Sequence, residues 1–181
     1  MEDHLDQKQQ KFLLVLARKA ITEYLESGKI LDIDPEDKKF REKRGAFVTL
    51  KVHDQLRGCI GYPLPVDSLY LTVINNAISA ATKDFRFPSL VPDELIHTKI
   101  EISVLTLPHA VKNIQEIKVG THGIIIKKGL NKGLLLPQVA VEWGWNRETF
   151  LSHGCLKAGL PEDEWKKDAA IEIFSAQVFS E

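Results

Sequence analysis

The sequence has few cysteines and no long apolar run, and both shortages narrow the class of protein. Only Cys59 and Cys155 occur among 181 residues, which is too few for a disulfide framework. No apolar stretch approaches the length of a membrane span. The N-terminal stretch MEDHLDQKQQ lacks the basic-then-apolar order of a signal peptide. We therefore expect a cytoplasmic protein with reduced thiols and no membrane association.

An excess of charge of one sign is also missing. The chain has 24 Lys and Arg against 25 Asp and Glu, so its formal net charge is -1. Such a chain has no global attraction for nucleic acid, which is therefore an unexpected partner. A local patch at Lys127, Lys128 and Lys132 leaves RNA binding open as an alternative, although the near-neutral charge argues against strong affinity.

Motifs for metals and nucleotide cofactors are absent. The chain contains no C-x-x-C, H-E-x-x-H or H-x-x-x-H, no phosphate loop and no dinucleotide fingerprint. His153 and Cys155 form H-x-C on a predicted helix, where residues two apart do not face each other. We therefore predict no metal and no cofactor.

Hydrophobic periodicity predicts helices that alternate with antiparallel hairpins. Residues 13–24 have helical spacing, and Gly28 is placed to end that helix. Alternating residues predict strands from 46 onward, from 100 to 104 and from 123 to 136. Without a repeated strand-helix-strand unit, this order predicts an α+β fold, mainly an antiparallel sheet flanked by helices. Clustered glycines predict a smaller lobe at about 117–166, beside a larger lobe at about 1–116 plus 167–181.

The second strand of the first hairpin contains a cysteine between two glycines, in LRGCIG at residues 56–61. A three-residue loop would pair Val48 with Ile60 and place Arg57, Cys59 and Gly61 on the opposite face. A guanidinium near the sulfur would favour its thiolate form, and the glycines would let a ligand or another backbone approach. This arrangement makes Cys59 a candidate reactive thiol.

A purely structural explanation of the same residues remains open. Cys59 can be a small buried group with the glycines marking a bulge, because free cysteines are commonly buried and inert. Arg57 can equally be a clamp onto Asp84 or Glu101. Asp84 and Arg86, in KDFRF, are predicted to share one side of an extended segment, where they could bind a polar substrate or form a local ion pair.

Two candidates lie in the second half of the chain. His122, in GTHG, could act as a base or a ligand contact, or be an ordinary loop residue. Gln138 follows Pro137 at a predicted strand end, where small-molecule sites are often built.

Blocks spread along the chain resemble the AMME chromosomal-region protein family. The resemblance covers residues 10–181 and implies an α+β fold with a larger and a smaller lobe and with LRGCIG near a cleft between them. Carried over by position, the family's polar residues are Arg57, Cys59, Asp84, Arg86, Glu101, His122 and Gln138. The blocks that carry it are GAFVTL, LRGCIG, SAATKDFRFPSL, KIEISVLTLP, VGTHGIIIKKG, GLLLPQVAVEWGW and CLKAGL.

The resemblance implies membership of a modification pathway, and it does not identify the reaction. Prokaryotic members are linked by gene context or fusion to a Memo-like protein and a radical-SAM protein, which suggests a shared modification pathway. The leading hypothesis is a cysteine-dependent enzyme for a small molecule or a modified macromolecule, with Cys59 as nucleophile or redox thiol. Arg57 would favour the thiolate or hold an anion, and His122 would carry the proton. The alternative is a non-catalytic binding or adaptor protein, regulatory or associated with RNA.

Overall fold

The computed structural model describes residues 4–181, and it confirms the predicted α+β class with antiparallel sheets. The chain divides into two compact units. The larger extends to Thr106 and includes Gln177–Glu181, and the smaller is Leu107–Ala176. Each has its own hydrophobic core. Within the described residues, none of the helices combines the length and the apolar character that crossing a membrane requires.

The larger unit is a four-stranded sheet with two long helices. Its strands run in the order β2-β1-β3-β8, so β2 is an edge strand. Helix α3 packs on α1 and on strands β1 and β2. The elements are α1 (Gln7–Ser27), α2 (Lys38–Arg41), β1 (Ala46–Val52), β2 (Gln55–Tyr62), α3 (Leu69–Thr82), α4 (Pro92–Leu95), β3 (Thr98–Leu105) and β8 (Ala176–Ser180).

Local signals explain the bounds of α1. Asp6 accepts a hydrogen bond from the backbone of Gln9, and the Gln9 side chain accepts one from the backbone of Asp6, which is a capping box. Gly28 ends the helix with φ 71°, as predicted, and donates its N–H to Tyr24. The N-cap of helix α3 is Ser68, whose side chain makes no capping hydrogen bond.

The turn of the first hairpin is shorter than predicted. Two residues, His53 and Asp54, form it with φ 49° and 61°, as in the two-residue turns that match strand twist. Val52 therefore pairs with Gln55, and the predicted three-residue loop is wrong.

A β-bulge then restores the predicted register further along β2. Lys51 pairs with Leu56 and Leu50 pairs with Gly58, so Arg57 is the extra residue of the bulge. Beyond it Val48 lies opposite Ile60, as the apolar alternation predicts. The bulge thus changes the surroundings of Arg57 while the strand around Cys59 keeps its predicted pairing.

The smaller unit is also a four-stranded antiparallel sheet, in the order β4-β7-β5-β6. Its core contains Phe150, Leu151 and Cys155 of α6 packed with isoleucines of the sheet. The elements are β4 (His109–Ala110), β5 (Gly123–Lys128), β6 (Asn131–Leu135), α5 (Pro137–Glu142), α6 (Arg147–Lys157) and β7 (Ala170–Phe174), with 3-10 turns at Ile114–Glu116 and Glu164–Lys166.

The C-terminal segment consists of two strands, β7 and β8. Strand β7 pairs with β4 and β5 of the smaller sheet, and β8 adjoins β3 of the larger sheet. The division after Ala176 places β7 with the smaller unit, whereas the sequence analysis assigns residues 167–181 to the larger lobe.

Candidate functional site

Cys59 lies on the edge strand of the larger sheet and is half-buried. Its neighbour on β1 is Thr49, as the hairpin register predicts. The Thr49 hydroxyl donates a hydrogen bond to Cys59 Sγ over 3.3 Å. Thr49 also lies opposite Glu101 of β3, so the three residues form one row across three strands.

Both backbone polar groups of Cys59 are bound by one ion pair at the outer edge of β2. The Cys59 N–H donates to Asp84 Oδ2 over 2.9 Å, and Arg86 Nη2 donates to the Cys59 carbonyl over 3.3 Å. Arg86 in turn holds Asp84 through Nε at 2.9 Å and Nη2 at 2.7 Å. The pair thus takes the place of a neighbouring strand at this edge. We call Thr49, Cys59, Asp84 and Arg86 the Cys59 frame.

Electrostatics hold Asp84 in its charged form. Its side chain is buried, yet the Arg86 guanidinium keeps the pKa of this carboxyl well below its usual range, and the Cys59 and Arg86 backbone N–H groups act in the same direction. The carboxylate likewise raises the pKa of Arg86. The predicted local ion pair between these residues is therefore present, and it is directed at Cys59.

The segment that contains Asp84 and Arg86 is a turn, so the predicted extended conformation is wrong. Phe87 N–H donates to the Asp84 carbonyl over 3.0 Å, and Arg86 N–H donates to Asp84 Oδ1 over 3.2 Å. The second bond is an Asx turn, in which an aspartate side chain binds the backbone two residues on. Phe85, at the tip of this turn, is 96% exposed.

Arg57 is bound by the carboxylate of Glu94. Its Nε and Nη2 donate to the two carboxylate oxygens of Glu94 over 2.5 and 2.9 Å. The predicted clamp onto Asp84 or Glu101 is therefore wrong about the partner. The guanidinium carbons of Arg57 and Arg86 lie 6.0 and 5.6 Å from the Phe87 ring centroid. Arg57 thus has a structural role that occupies both arms of its fork.

The glycines beside Cys59 are explained by close packing. A Cβ at Gly58 would lie 2.1 Å from the carbonyl oxygen of Ala80 on α3. A Cβ at Gly61 would lie 2.2 Å from the Phe47 ring. Of the two predicted alternatives, another backbone rather than a ligand approaches at Gly58, and an aromatic ring fills the space at Gly61.

Glu101 and the lysine patch are also engaged in ion pairs. Lys51 donates to Glu101 over 2.9 Å. Within the smaller unit, Lys127 pairs with Glu172 at 2.6 Å and Lys128 with Glu164 at 2.5 Å. These carboxylates neutralise two of the three lysines proposed as an RNA patch, which weakens that alternative.

The two candidates of the smaller unit have different surroundings. His122 precedes β5, and its Nδ1 accepts the Lys118 N–H over 3.2 Å, so Nε2 carries the proton of the neutral ring. Burial lowers the pKa of His122, and the charges of Lys118 and His109 lower it further. His122 can therefore donate a hydrogen bond from Nε2, whereas its Nδ1 already accepts one. Gln138 is exposed on the first turn of α5.

Thr49 and Glu94 also contribute to the site, although neither is among the candidate residues predicted from the sequence. Thr49 was detectable, because the hairpin register already places it opposite Cys59. Glu94 was not, because it lies in a four-residue helix 37 residues beyond Arg57. Across residues 4–181, no three His, Cys, Asp or Glu side chains are grouped so as to hold a metal ion.

Known proteins match the chain over nearly its whole length. A family model described as AMMECR1 matches residues 14–179. Protein MK0488 of Methanopyrus kandleri is 50% identical over 191 residues, covering 100% of this chain and 92% of that protein. Protein PF1979 of Pyrococcus furiosus is 47% identical over 186 residues, covering 94% and 87%. The crystal structure of uncharacterized protein PH0010 from Pyrococcus horikoshii has a TM-score of 0.76 at 41% identity and covers 98% and 93%. None of these names states an activity.

Proposed function

The chain belongs to the AMMECR1 family, and we propose that it acts through the thiol of Cys59 as a component of a modification pathway. The substrate would be a small molecule or a modified macromolecule. The observation that carries the proposal is the Cys59 frame. A half-buried sulfur receives a hydroxyl hydrogen bond, while the ion pair of buried Asp84 with partly exposed Arg86 binds both the N–H and the carbonyl of the same residue.

The frame supports a nucleophilic thiol because it fixes the position of the sulfur. Reactive groups gain most when the surrounding structure holds them in place before the substrate arrives. A hydroxyl that donates to sulfur binds a thiolate more strongly than a thiol. In the proposed step, Cys59 releases its proton to solvent and its lone pair forms a bond to an electrophilic carbon. The leaving group departs with the electrons of the bond that breaks.

The other candidate residues receive revised roles in this proposal. Asp84 and Arg86 position Cys59 and do not bind substrate directly. Arg57, through its ion pair with Glu94, fixes the β-bulge next to Cys59. His122 stays the proposed proton carrier, since its imidazole is neutral and its Nδ1 accepts the Lys118 N–H. Glu101 and Gln138 stay proposed substrate contacts. A Memo-like protein and a radical-SAM protein are the proposed pathway neighbours.

A non-catalytic binding or adaptor role is the second candidate, and one observation favours it. Both arginines near Cys59 are bound to carboxylates, Arg57 to Glu94 and Arg86 to Asp84. A site without a free cation has less to offer a reacting anion than a site with one. In this role the Cys59 frame only stabilises the edge of the sheet, and the surface around the exposed Phe85 recognises a partner.

Alkylation of Cys59 by iodoacetamide separates the two candidates. The protein carries Cys155→Ala, so that Cys59 is the one thiol that iodoacetamide can alkylate. Burial raises the pKa of the Cys155 thiol, so this residue is not expected to be reactive in the folded wild type either. Thr49→Val removes the hydroxyl and keeps the shape of the side chain. We expect it to slow alkylation about threefold at pH 7, because the sulfur loses the hydrogen bond that holds it in position.

The control and the contrary result use the same readout. Thr106→Val, at the residue that follows β3, should leave the Cys59 rate unchanged. His122→Asn then tests the proton carrier by its effect on turnover of a substrate once one is known, and it should leave alkylation unchanged. If Thr49→Val left the rate of Cys59 alkylation equal or higher, the adaptor role would be preferred.

A further inference from the structure

Helix α3 carries a polar stripe that lines a groove on the larger unit. The groove has a volume of about 440 Å³, within the range of small-molecule sites. Thr72, Asn76, Ser79 and Lys83 recur at helical spacing along one face, and Asn75 lies beside them. Thr72 and Asn76 of this stripe are buried, and a helix that faces its core with apolar residues has no structural need for polar side chains there.

Asn76 supplies the observation that points to a ligand. The residue is 0% exposed and lines the groove. Its Nδ2 donates to the Ala46 carbonyl over 3.0 Å, which fixes the orientation of the amide. Its Oδ1 has no hydrogen-bond partner in the part of the chain from residue 4 to residue 181. A buried acceptor without a partner is costly, so a donor supplied from the groove would stabilise it.

The remaining lining defines the chemistry of that donor. The side chains around the polar stripe are mostly apolar or aromatic, which favours a ring or another apolar body. Asp67 and Lys83 contribute one charge of each sign, so the lining has no net preference for an anion or a cation. The other lining residues are Tyr24, Ile30, Tyr62, Leu64, Val66 and Ile78.

We propose that this groove binds a neutral small molecule that has an amide-type N–H beside an apolar ring, with the N–H donating to Asn76 Oδ1. The groove shares no residue with the Cys59 frame. It is therefore a second site of the larger unit, and its occupancy does not depend on the chemistry proposed for Cys59.

Benzamide and N,N-dimethylbenzamide form a matched pair of probes. Both have the same ring, and only benzamide has amide N–H donors. Titration of the 15N-labelled protein with benzamide should shift the backbone amides of Thr72–Lys83 and the side-chain amide of Asn76, with a Kd of about 10 mM or tighter for a ligand of this size. N,N-dimethylbenzamide should bind about tenfold more weakly, because Asn76 Oδ1 stays unpaired.

Two tryptophan substitutions on α3 locate the binding. Asn75→Trp fills the groove from an exposed position and should abolish the benzamide shifts. Leu71→Trp is the control, because Leu71 is on the same helix and outside the groove lining. The proposal is overturned if the shifts lie away from α3, if they persist in Asn75→Trp, if the two benzamides bind equally, or if benzamide gives no shift at 50 mM, a concentration about fivefold above the expected Kd.

Discussion

Asp84→Asn is the substitution that tests the Cys59 frame most fully. The carboxylate accepts hydrogen bonds from the backbone N–H groups of Cys59 and Arg86 and two more from the Arg86 guanidinium. Asparagine keeps the size of the side chain but loses the charge and one acceptor. Its NH₂ group must then face a donor, either the Cys59 N–H or the guanidinium.

The magnitude follows from which of these bonds are buried. The Arg86 side chain is 45% exposed, so its guanidinium can bind water when the carboxylate is removed. Loss of the Asp84–Arg86 ion pair therefore adds little to the change in the free energy of unfolding. The Asp84 side chain is buried, and a hydrogen bond to a charged group contributes about 1.5–3 kcal/mol. With one such bond lost and one donor left facing another, we expect the free energy of unfolding of the larger unit to fall by about 3 kcal/mol.

Hydrogen exchange measures this loss in the larger unit alone. All three tryptophans belong to the smaller unit, so their fluorescence does not monitor β2. A loss of about 3 kcal/mol should speed exchange of the protected β1 and β2 amides about 100-fold. Tryptophan fluorescence during urea unfolding should be unchanged. Asp32→Asn, at an exposed carboxylate of the same unit, is the matched control.

Acid provides the same test without a mutation. The folded pKa of Asp84 is depressed below its unfolded value of about 3.9, so its stabilising contribution is present above that pH and is lost as pH falls through the folded pKa. The wild type should therefore lose protection in β2 below about pH 4 more steeply than Asp84→Asn. Exchange in Asp84→Asn within fivefold of the wild type at pH 7 would refute the role assigned to this carboxylate.

Three further predictions concern residues around the site and in the smaller unit. Gly58→Ala forces a Cβ against the carbonyl of Ala80 and should destabilise the larger unit by about 3 kcal/mol in urea unfolding followed by circular dichroism; an unchanged midpoint would contradict the packing. A double-mutant cycle of Arg57→Ala and Glu94→Ala should give a coupling energy of about 1–2 kcal/mol, and additivity would mean that the bidentate pair is weak. The His122 ring should titrate in NMR spectra below the ordinary value of about 6.5, and a midpoint above it would contradict the burial of this ring.

Local features of the fold could be predicted from the sequence because neighbouring residues determine them. The spacing of apolar residues and Gly28 predicted α1 and its end, and alternation predicted the pairing of Val48 with Ile60. The predicted pairing of Val48 with Ile60 is correct although the predicted turn length is wrong, because the extra residue of the bulge, Arg57, compensates for the shorter loop. Registers that bury one face are strongly specified, whereas turn length is not.

The arrangement of charges could not be predicted in the same way. Asp84, Arg86 and Arg57 were candidates from sequence, but their partners depend on how α4 and the turn after α3 meet the edge of β2. The Asx turn at Asp84 was within reach of sequence reasoning, since aspartate often binds the backbone two residues on. The pairing of Arg57 with Glu94 depends on tertiary structure alone.

The rate of Cys59 alkylation in the folded protein, divided by the rate in the same protein unfolded in urea, tests the central claim most directly. Cys155→Ala leaves one thiol, so intact mass gives both rates without ambiguity. If the frame prepares the thiol for reaction, the folded protein should react faster at pH 7 than the unfolded chain, although its sulfur is less exposed. A folded rate tenfold or more below the unfolded rate would contradict a reactive thiol and leave Cys59 as a packed structural residue.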